Sequence, residues 1–84
     1  MEWNDRIKEL VAVGASITAN CQPCLQYHTD KALEFGADPR DIAAAVETGK
    51  HVRKGASAKM DAFASELKAG TDAAGAKKSA CCGS

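Results

Sequence analysis

The spacing of apolar residues along the chain predicts helices. A first amphipathic helix is predicted over about 4–19, because apolar positions there recur at the i, i+3, i+4, i+7 spacing of one helical face. These positions are Ile7, Leu10, Val11, Gly14 and Ile17. Asn20 is expected to end this helix or to cap the next. A second helix is predicted from near Pro23, whose missing N–H has no partner in a first turn anyway, to Gly36.

The second half of the chain predicts two more helices. Asp38 as N-cap, Pro39 at N1 and Asp41 at N3 are typical of a helix start, and a third helix should continue to about Lys54. Its buried stripe is predicted to be Ile42, Ala45, Val46, Gly49 and Val52. Gly55 is expected to interrupt it, and a fourth helix follows from the spacing of Ala56, Met60, Phe63 and Leu67. The pattern contains no β alternation, so the predicted fold is an all-α bundle of about four helices.

Length and composition predict one small domain, residues 1–68, followed by a tail, residues 69–84. The chain has 84 residues, and from Gly70 onward it shows no apolar periodicity, so the tail is expected to be flexible. Large apolar side chains are sparse and alanine is abundant, so a monomer would have a thin core. We therefore expect a homo-oligomer.

Charge and hydropathy exclude several classes of protein. Eleven basic residues balance eleven acidic ones, so nothing predicts the positive field that nucleic-acid binding requires. No apolar run approaches the roughly 18–20 residues of a membrane span, and the first residues do not resemble an export signal. We expect a cytoplasmic protein with neither nucleic acid nor membrane as a partner.

The four cysteines form two tight pairs, which is typical of reactive or metal-binding thiols rather than of a secreted disulfide framework. The first pair, Cys21 and Cys24, has the Cys-x-x-Cys spacing at a helix start, where backbone N–H groups and the helix dipole favour a thiolate. A partner two residues away can close a disulfide before irreversible over-oxidation. His28 follows Cys24 by one helical turn, within reach for proton exchange.

Metal binding is the main alternative for this motif, because structural zinc sites use the same spacing. Cys21, Cys24 and His28 would supply three ligands, and Glu9, His51 or the tail a fourth. The protein would then be a metal- or metalloid-binding module without peroxidase activity. A third alternative is an inert pair of packing cysteines. His51 otherwise belongs to a cationic helix end, Lys50–Lys54, that is expected to be solvated.

The second pair, Cys81 and Cys82, lies near the end of the predicted tail. Adjacent thiols suit a soft metal or metalloid. They would equally suit a redox arm that reaches the first pair, or have no role.

Glu9, Cys21, Cys24 and His28 together form the pattern E-x(11)-C-x(2)-C-x(3)-H. This pattern resembles the carboxymuconolactone decarboxylase-like superfamily, and within it the AhpD-like alkylhydroperoxidases. The likeness extends from about Glu9 to about Phe63, roughly two-thirds of the chain.

The resemblance implies an all-helical protein that assembles as a trimer or hexamer and cycles two cysteines between dithiol and disulfide. Cys24 would attack the peroxide, Cys21 would be the resolving cysteine and proton donor, and His28 with Glu9 would relay protons. The reductant would be a lipoyl-type dithiol or a thioredoxin-like protein, and we expect no cofactor. The best-known alkylhydroperoxidase of this type has a second histidine immediately before the second cysteine. Pro23 occupies that position here, which removes one arm of the relay.

Overall fold

The computed structural model describes residues 2–67, which form three helices and no strand. They are α1 (Asp5–Thr18), α2 (Gln22–Glu34) and α3 (Pro39–Leu67). The predicted all-α class is confirmed. None of the three helices is long and apolar enough to cross a lipid bilayer. The predicted tail, with Cys81 and Cys82, lies outside the described residues.

The link between α1 and α2 is short because both helices are capped within it. Asn20 adopts a left-handed φ of 57°. Its N–H donates to the Ile17 carbonyl at 3.0 Å, and the Cys21 N–H donates to the Ser16 carbonyl at 3.0 Å. This is the Schellman arrangement, in which two otherwise unpaired carbonyls of a helix end are satisfied. Asn20 therefore ends α1, and Cys21 begins α2 as its N-cap.

Gly36 ends α2 as predicted, through the same type of motif. Its φ is 86°, a left-handed value that a side chain at Cβ disfavours. The Gly36 N–H donates to the Leu33 carbonyl, and the Ala37 N–H donates to the Ala32 carbonyl. The chain thereby turns directly toward α3.

Asp38 caps α3 as the sequence predicts. Its carboxylate accepts the Arg40 backbone N–H at 2.8 Å and pairs with the Arg40 guanidinium at 2.9 Å. Hydrogen bonds from the Arg40 side chain first, and then from its backbone, lower the pKa of Asp38 below its usual value.

The predicted break at Gly55 and the separate fourth helix are wrong, because α3 runs without interruption for 29 residues. A helical glycine costs only about 1 kcal/mol relative to alanine. Gly55 is flanked by good helix formers, no proline follows it, and a Cβ built on it would meet nothing within 4 Å. Residues 2–67 therefore form three helices rather than about four.

The core is small and centres on α1, which packs along both α2 and α3. Its buried apolar members are Val13, Ala32, Ala37 and Ile42, with Leu10, Leu25, Ala45 and Val46 packed around them. The predicted buried stripe of α3 holds at Ile42 and Gly49 but is wrong at Val52, which is 52% exposed. The reason is that Val52 lines an apolar groove between α1 and α3 that stays open to solvent.

α1 and α3 cross at two glycines, with backbone against backbone. A Cβ added to Gly49 would overlap the Gly14 carbonyl oxygen and lie 2.9 Å from Cβ of Ile17. The Thr18 hydroxyl lies between the helices, 3.1 Å from the Gly49 carbonyl oxygen and 3.2 Å from that of Gly14. Beside the crossing, an apolar groove of about 460 Å³ remains open between the two helices.

Candidate active site

Cys21 and Cys24 lie together at the N-terminus of α2 and form a disulfide, with their Cα atoms 5.3 Å apart. Cys21 is the N-cap, and its sulfur accepts the Cys24 backbone N–H at 3.3 Å. Pro23 lies in the first turn, where no N–H is required. Cys21 is half-buried, whereas Cys24 is exposed. The pair is thus covered on one side and accessible to solvent on the other.

Glu9 and His28 join α1 to α2, and His28 follows Cys24 by one helical turn. Nδ1 of His28 lies 2.6 Å from Oε1 of Glu9, and Glu9 is 6% exposed. A carboxylate this deeply buried needs a hydrogen-bonded partner. With the carboxylate ionised, Nδ1–H is the donor. The neutral imidazole then has an unprotonated Nε2 that can accept a proton.

His28 lies one turn after Cys24 on α2, so the two side chains project from the same face of the helix. The arrangement resembles the general logic of an activated nucleophile, in which a buried carboxylate orients an imidazole and the imidazole takes a proton from the nucleophile.

Tyr27 borders the imidazole, and Lys31 lies over the Tyr27 ring. The Tyr27 ring meets the His28 ring edge-on, with centroids 5.0 Å apart, and the Lys31 ammonium lies 5.9 Å from the Tyr27 centroid. The Glu34 carboxylate, through its hydrogen bond and its charge, raises the pKa of Lys31 above its usual value. Lys31 of α2 therefore keeps its positive charge at neutral pH next to the Tyr27 ring.

A recess of about 200 Å³ opens beside Cys21, at the junction of all three helices. Its walls are formed by Ser16, Ile17, Asn20, Cys21, Gln22, Leu25 and Arg53. Arg53 of α3 donates from Nη1 to the Asn20 amide oxygen at 2.8 Å and to the Ile17 carbonyl at 3.2 Å. From the sequence alone, Arg53 is expected to lie in the solvated cationic helix end Lys50–Lys54. Only the crossing of α3 over the end of α1 brings it to the cysteine.

The structure thus brings together Cys21 with Cys24 and Glu9 with His28. His51, named as an alternative metal ligand, is exposed. Among residues 2–67, no three His, Cys, Asp or Glu side chains gather into a group that could hold a metal ion. The zinc ligand set considered from the sequence is therefore not assembled within this part of the chain.

Comparison with known proteins identifies one related group. A family model described as the carboxymuconolactone decarboxylase family matches residues 2–65, which include both cysteines of the pair, Glu9 and His28. No curated protein and no solved structure matches the chain.

Proposed function

The chain belongs to the carboxymuconolactone decarboxylase family, and from that premise we propose that it is a thiol-dependent peroxidase and disulfide oxidoreductase of the AhpD-like type. Its substrates would be peroxides or disulfides. Its reductant would be a lipoyl-type dithiol or a thioredoxin-like protein.

One observation carries the proposal: a Cys-x-x-Cys disulfide at a helix N-terminus is followed one turn later by an imidazole held by a buried carboxylate. The helix N-terminus favours negative charge on sulfur, and a neutral imidazole can take the thiol proton. A structural disulfide would require no oriented imidazole beside it.

The oxidative half of the cycle begins on the reduced pair. His28 accepts the Cys24 thiol proton, and the Cys24 thiolate attacks a peroxide oxygen. An S–O bond forms and the O–O bond breaks, so Cys24 becomes a sulfenic acid while the peroxide is reduced to an alkoxide. The alkoxide takes the proton of Cys21 and leaves as an alcohol.

Cys21, now a thiolate, attacks the Cys24 sulfur and closes the disulfide. The displaced hydroxide takes the proton held by His28 and leaves as water. Each cycle therefore consumes one peroxide and two thiols of the protein, and an external dithiol must restore them. The 5.3 Å separation of the two Cα atoms supports this step, since it lies in the range for a disulfide.

Pro23 lies where the best-known alkylhydroperoxidase has a second histidine, so the proposed relay of this chain contains a single imidazole, that of His28. We expect it to be slower with peroxides, which need a proton for the leaving oxygen, than with disulfides, whose leaving thiolate is a weaker base.

The test is a comparison of single cysteine variants under single-turnover conditions. Cys24→Ser is expected to abolish peroxide consumption, because a hydroxyl stays protonated and is a far weaker nucleophile than a thiolate. Cys21→Ser is expected to consume one peroxide and then stop at a sulfenic acid on Cys24, which a dimedone-type reagent would trap for mass spectrometry.

Cys81→Ser with Cys82→Ser is the matched control, because it removes two thiols and should leave the first turnover unchanged. A sulfenic acid trapped on Cys21 in active Cys24→Ser would exchange the two roles. Wild-type rates in both single variants, with peroxide and with a disulfide substrate, would reject the proposed function.

A further inference from the structure

The recess beside Cys21 holds a guanidinium group that the proposed cycle does not use. Arg53 is partly buried, and the hydrogen bonds found for it among residues 2–67 use only Nη1. A guanidinium has five N–H donors in a planar fork. No acceptor among the described residues uses the donors on Nε and Nη2, and Arg53 is a wall residue of the recess.

The walls of the recess carry one positive charge and no negative charge, which favours an anionic ligand. Arg53 is the one charged residue among its wall residues, and the rest are neutral polar or apolar side chains. No carboxylate of the described residues is paired with Arg53. A planar guanidinium with two donors on one edge matches the two oxygens of a carboxylate.

Arg53 is also held in place before any ligand arrives. Its bonds to Ile17 and Asn20 connect it to the Schellman turn at the end of α1. The Cys21 N–H donates one of the hydrogen bonds of that turn. The cation and the half-buried sulfur therefore belong to one rigid junction and face one recess. A molecule that binds the Arg53 guanidinium is therefore close to the Cys21 sulfur.

We propose that this recess is the binding site for a thiol reductant that carries a carboxylate, with Arg53 holding the carboxylate while the reductant's sulfur attacks Cys21. The proposal depends on the proposed function, because it assigns the reductive half of the same cycle. It also determines which sulfur is attacked, since Cys21 lines the recess and Cys24 does not.

The reductive half of the cycle consists of two successive thiol–disulfide exchanges. The reductant thiolate attacks the Cys21 sulfur, a mixed disulfide forms, and the Cys21–Cys24 bond breaks. Cys24 leaves as a thiolate and is protonated through His28. A second thiol, from the same dithiol or from another molecule, attacks the reductant's sulfur in the mixed disulfide. This releases the Cys21 thiolate, and the reductant leaves as a disulfide.

The experiment compares two small thiols that differ only in charge, 3-mercaptopropionate and its neutral amide, at equal thiolate concentration. The protein is the full chain with Cys81→Ser and Cys82→Ser, so that the first pair alone is titrated. The oxidised protein is mixed with each thiol, the reaction is quenched with acid, and the free thiols are alkylated. Mass spectrometry then gives the fraction of reduced protein. The measured quantity is the ratio of the two rates at which the disulfide is reduced.

We expect the acid to reduce the disulfide about five- to tenfold faster than the amide does, because one charge-assisted pair at a partly exposed site contributes an effect of about this size. Arg53→Gln should bring the ratio to about one, and Arg53→Lys should keep part of it. Lys54→Gln is the matched control, since it removes an exposed cation from the next position of α3 and should leave the ratio unchanged. The chain has no formal net charge, so general attraction of anions contributes little.

Arg53→Gln also loses contacts that cap α1, but the ratio compares two reagents on one protein, so a change in stability cancels. A ratio near one in the wild type, or a ratio that survives Arg53→Gln, would overturn the binding site. Peroxide turnover with the neutral amide as sole reductant separates the two proposals. If turnover persists while the ratio is one, only the recess assignment fails. If the reduced protein consumes neither peroxide nor a disulfide substrate in a single turnover, the proposed function fails whatever the ratio.

Discussion

At the scale of single residues, Glu9 is the charged side chain that the fold buries among residues 2–67. Burying a carboxyl group to 6% exposure beside a core of four small or medium apolar residues is costly without its bond to His28. Replacing it with an apolar residue would remove that cost, so packing alone does not account for it. We interpret Glu9 as a positioning residue that sets the tautomer and orientation of His28.

We predict that Glu9→Gln slows oxidation of the reduced pair at neutral pH, by up to the 10²- to 10⁴-fold range of a proton-transfer contribution. The amide retains an acceptor for Nδ1–H, so the fold should persist, but it no longer stabilises the imidazolium. The deficit should shrink as pH rises toward about 8.5, where an ordinary thiol ionises without help. Stopped-flow rates between pH 6 and 9 measure it.

The control for this prediction is Glu47→Gln, which removes an exposed carboxylate paired with Lys50. It should have the wild-type profile. A Glu9→Gln deficit that is the same at every pH would indicate a structural role for Glu9 rather than a role in proton transfer.

At the scale of helices, the crossing of α1 and α3 depends on the absence of a side chain at one position. Gly49 packs against the Gly14 backbone, and there is no room for a Cβ. We predict that Gly49→Ala lowers the free energy of unfolding by about 1–3 kcal/mol, the usual cost of overpacking, because the two helices would have to separate. Urea or thermal unfolding followed by circular dichroism measures this change.

Gly55→Ala is the matched comparison on the same helix. A Cβ there meets nothing within 4 Å, so the helix propensity of alanine should raise the free energy of unfolding by about 0.5–1 kcal/mol. Equal effects of the two substitutions would show that the helix crossing does not require a glycine at position 49.

At the scale of the whole molecule, much apolar surface of the described residues stays uncovered. The groove between α1 and α3 continues along one face of α3 into a row of exposed side chains. That row consists of Val52 at 52%, Met60 at 64%, Phe63 at 56% and Leu67 at 60% exposure. Contiguous apolar surface of this kind is typical of protein–protein interfaces.

We predict that the folded unit self-associates through this face, and we propose a trimer or hexamer from the family resemblance. Phe63→Lys should lower the assembly mass in sedimentation velocity at micromolar concentration, because it places a charge in the apolar interface. Ala58→Lys, which adds the same charge on the opposite face of α3, should not. A folded wild-type monomer at those concentrations would contradict the prediction.

The features that the sequence determined by itself are local ones. The starts and ends of the helices at Asp38 and Gly36 follow from capping and from left-handed backbone preferences within a few residues. The spacing of Cys21, Cys24 and His28 follows from the pitch of one helix. Glu9 was identified only through the family spacing, since an acidic residue on an amphipathic helix is usually a solvated charge.

The tertiary structure decided the features that depend on how the helices pack. Glu9 meets His28 across 19 positions of sequence, and Arg53 meets Asn20 across 33. Whether Gly55 breaks a helix depends on whether the helical stability of the residues on either side exceeds the propensity cost of one glycine. This difference is small, and local sequence rules do not resolve it. Val52 is exposed because the groove between α1 and α3 stays open beside it. Such contacts arise where separate helices cross, and hydrophobic periodicity specifies the face of each helix but not the partner that covers it.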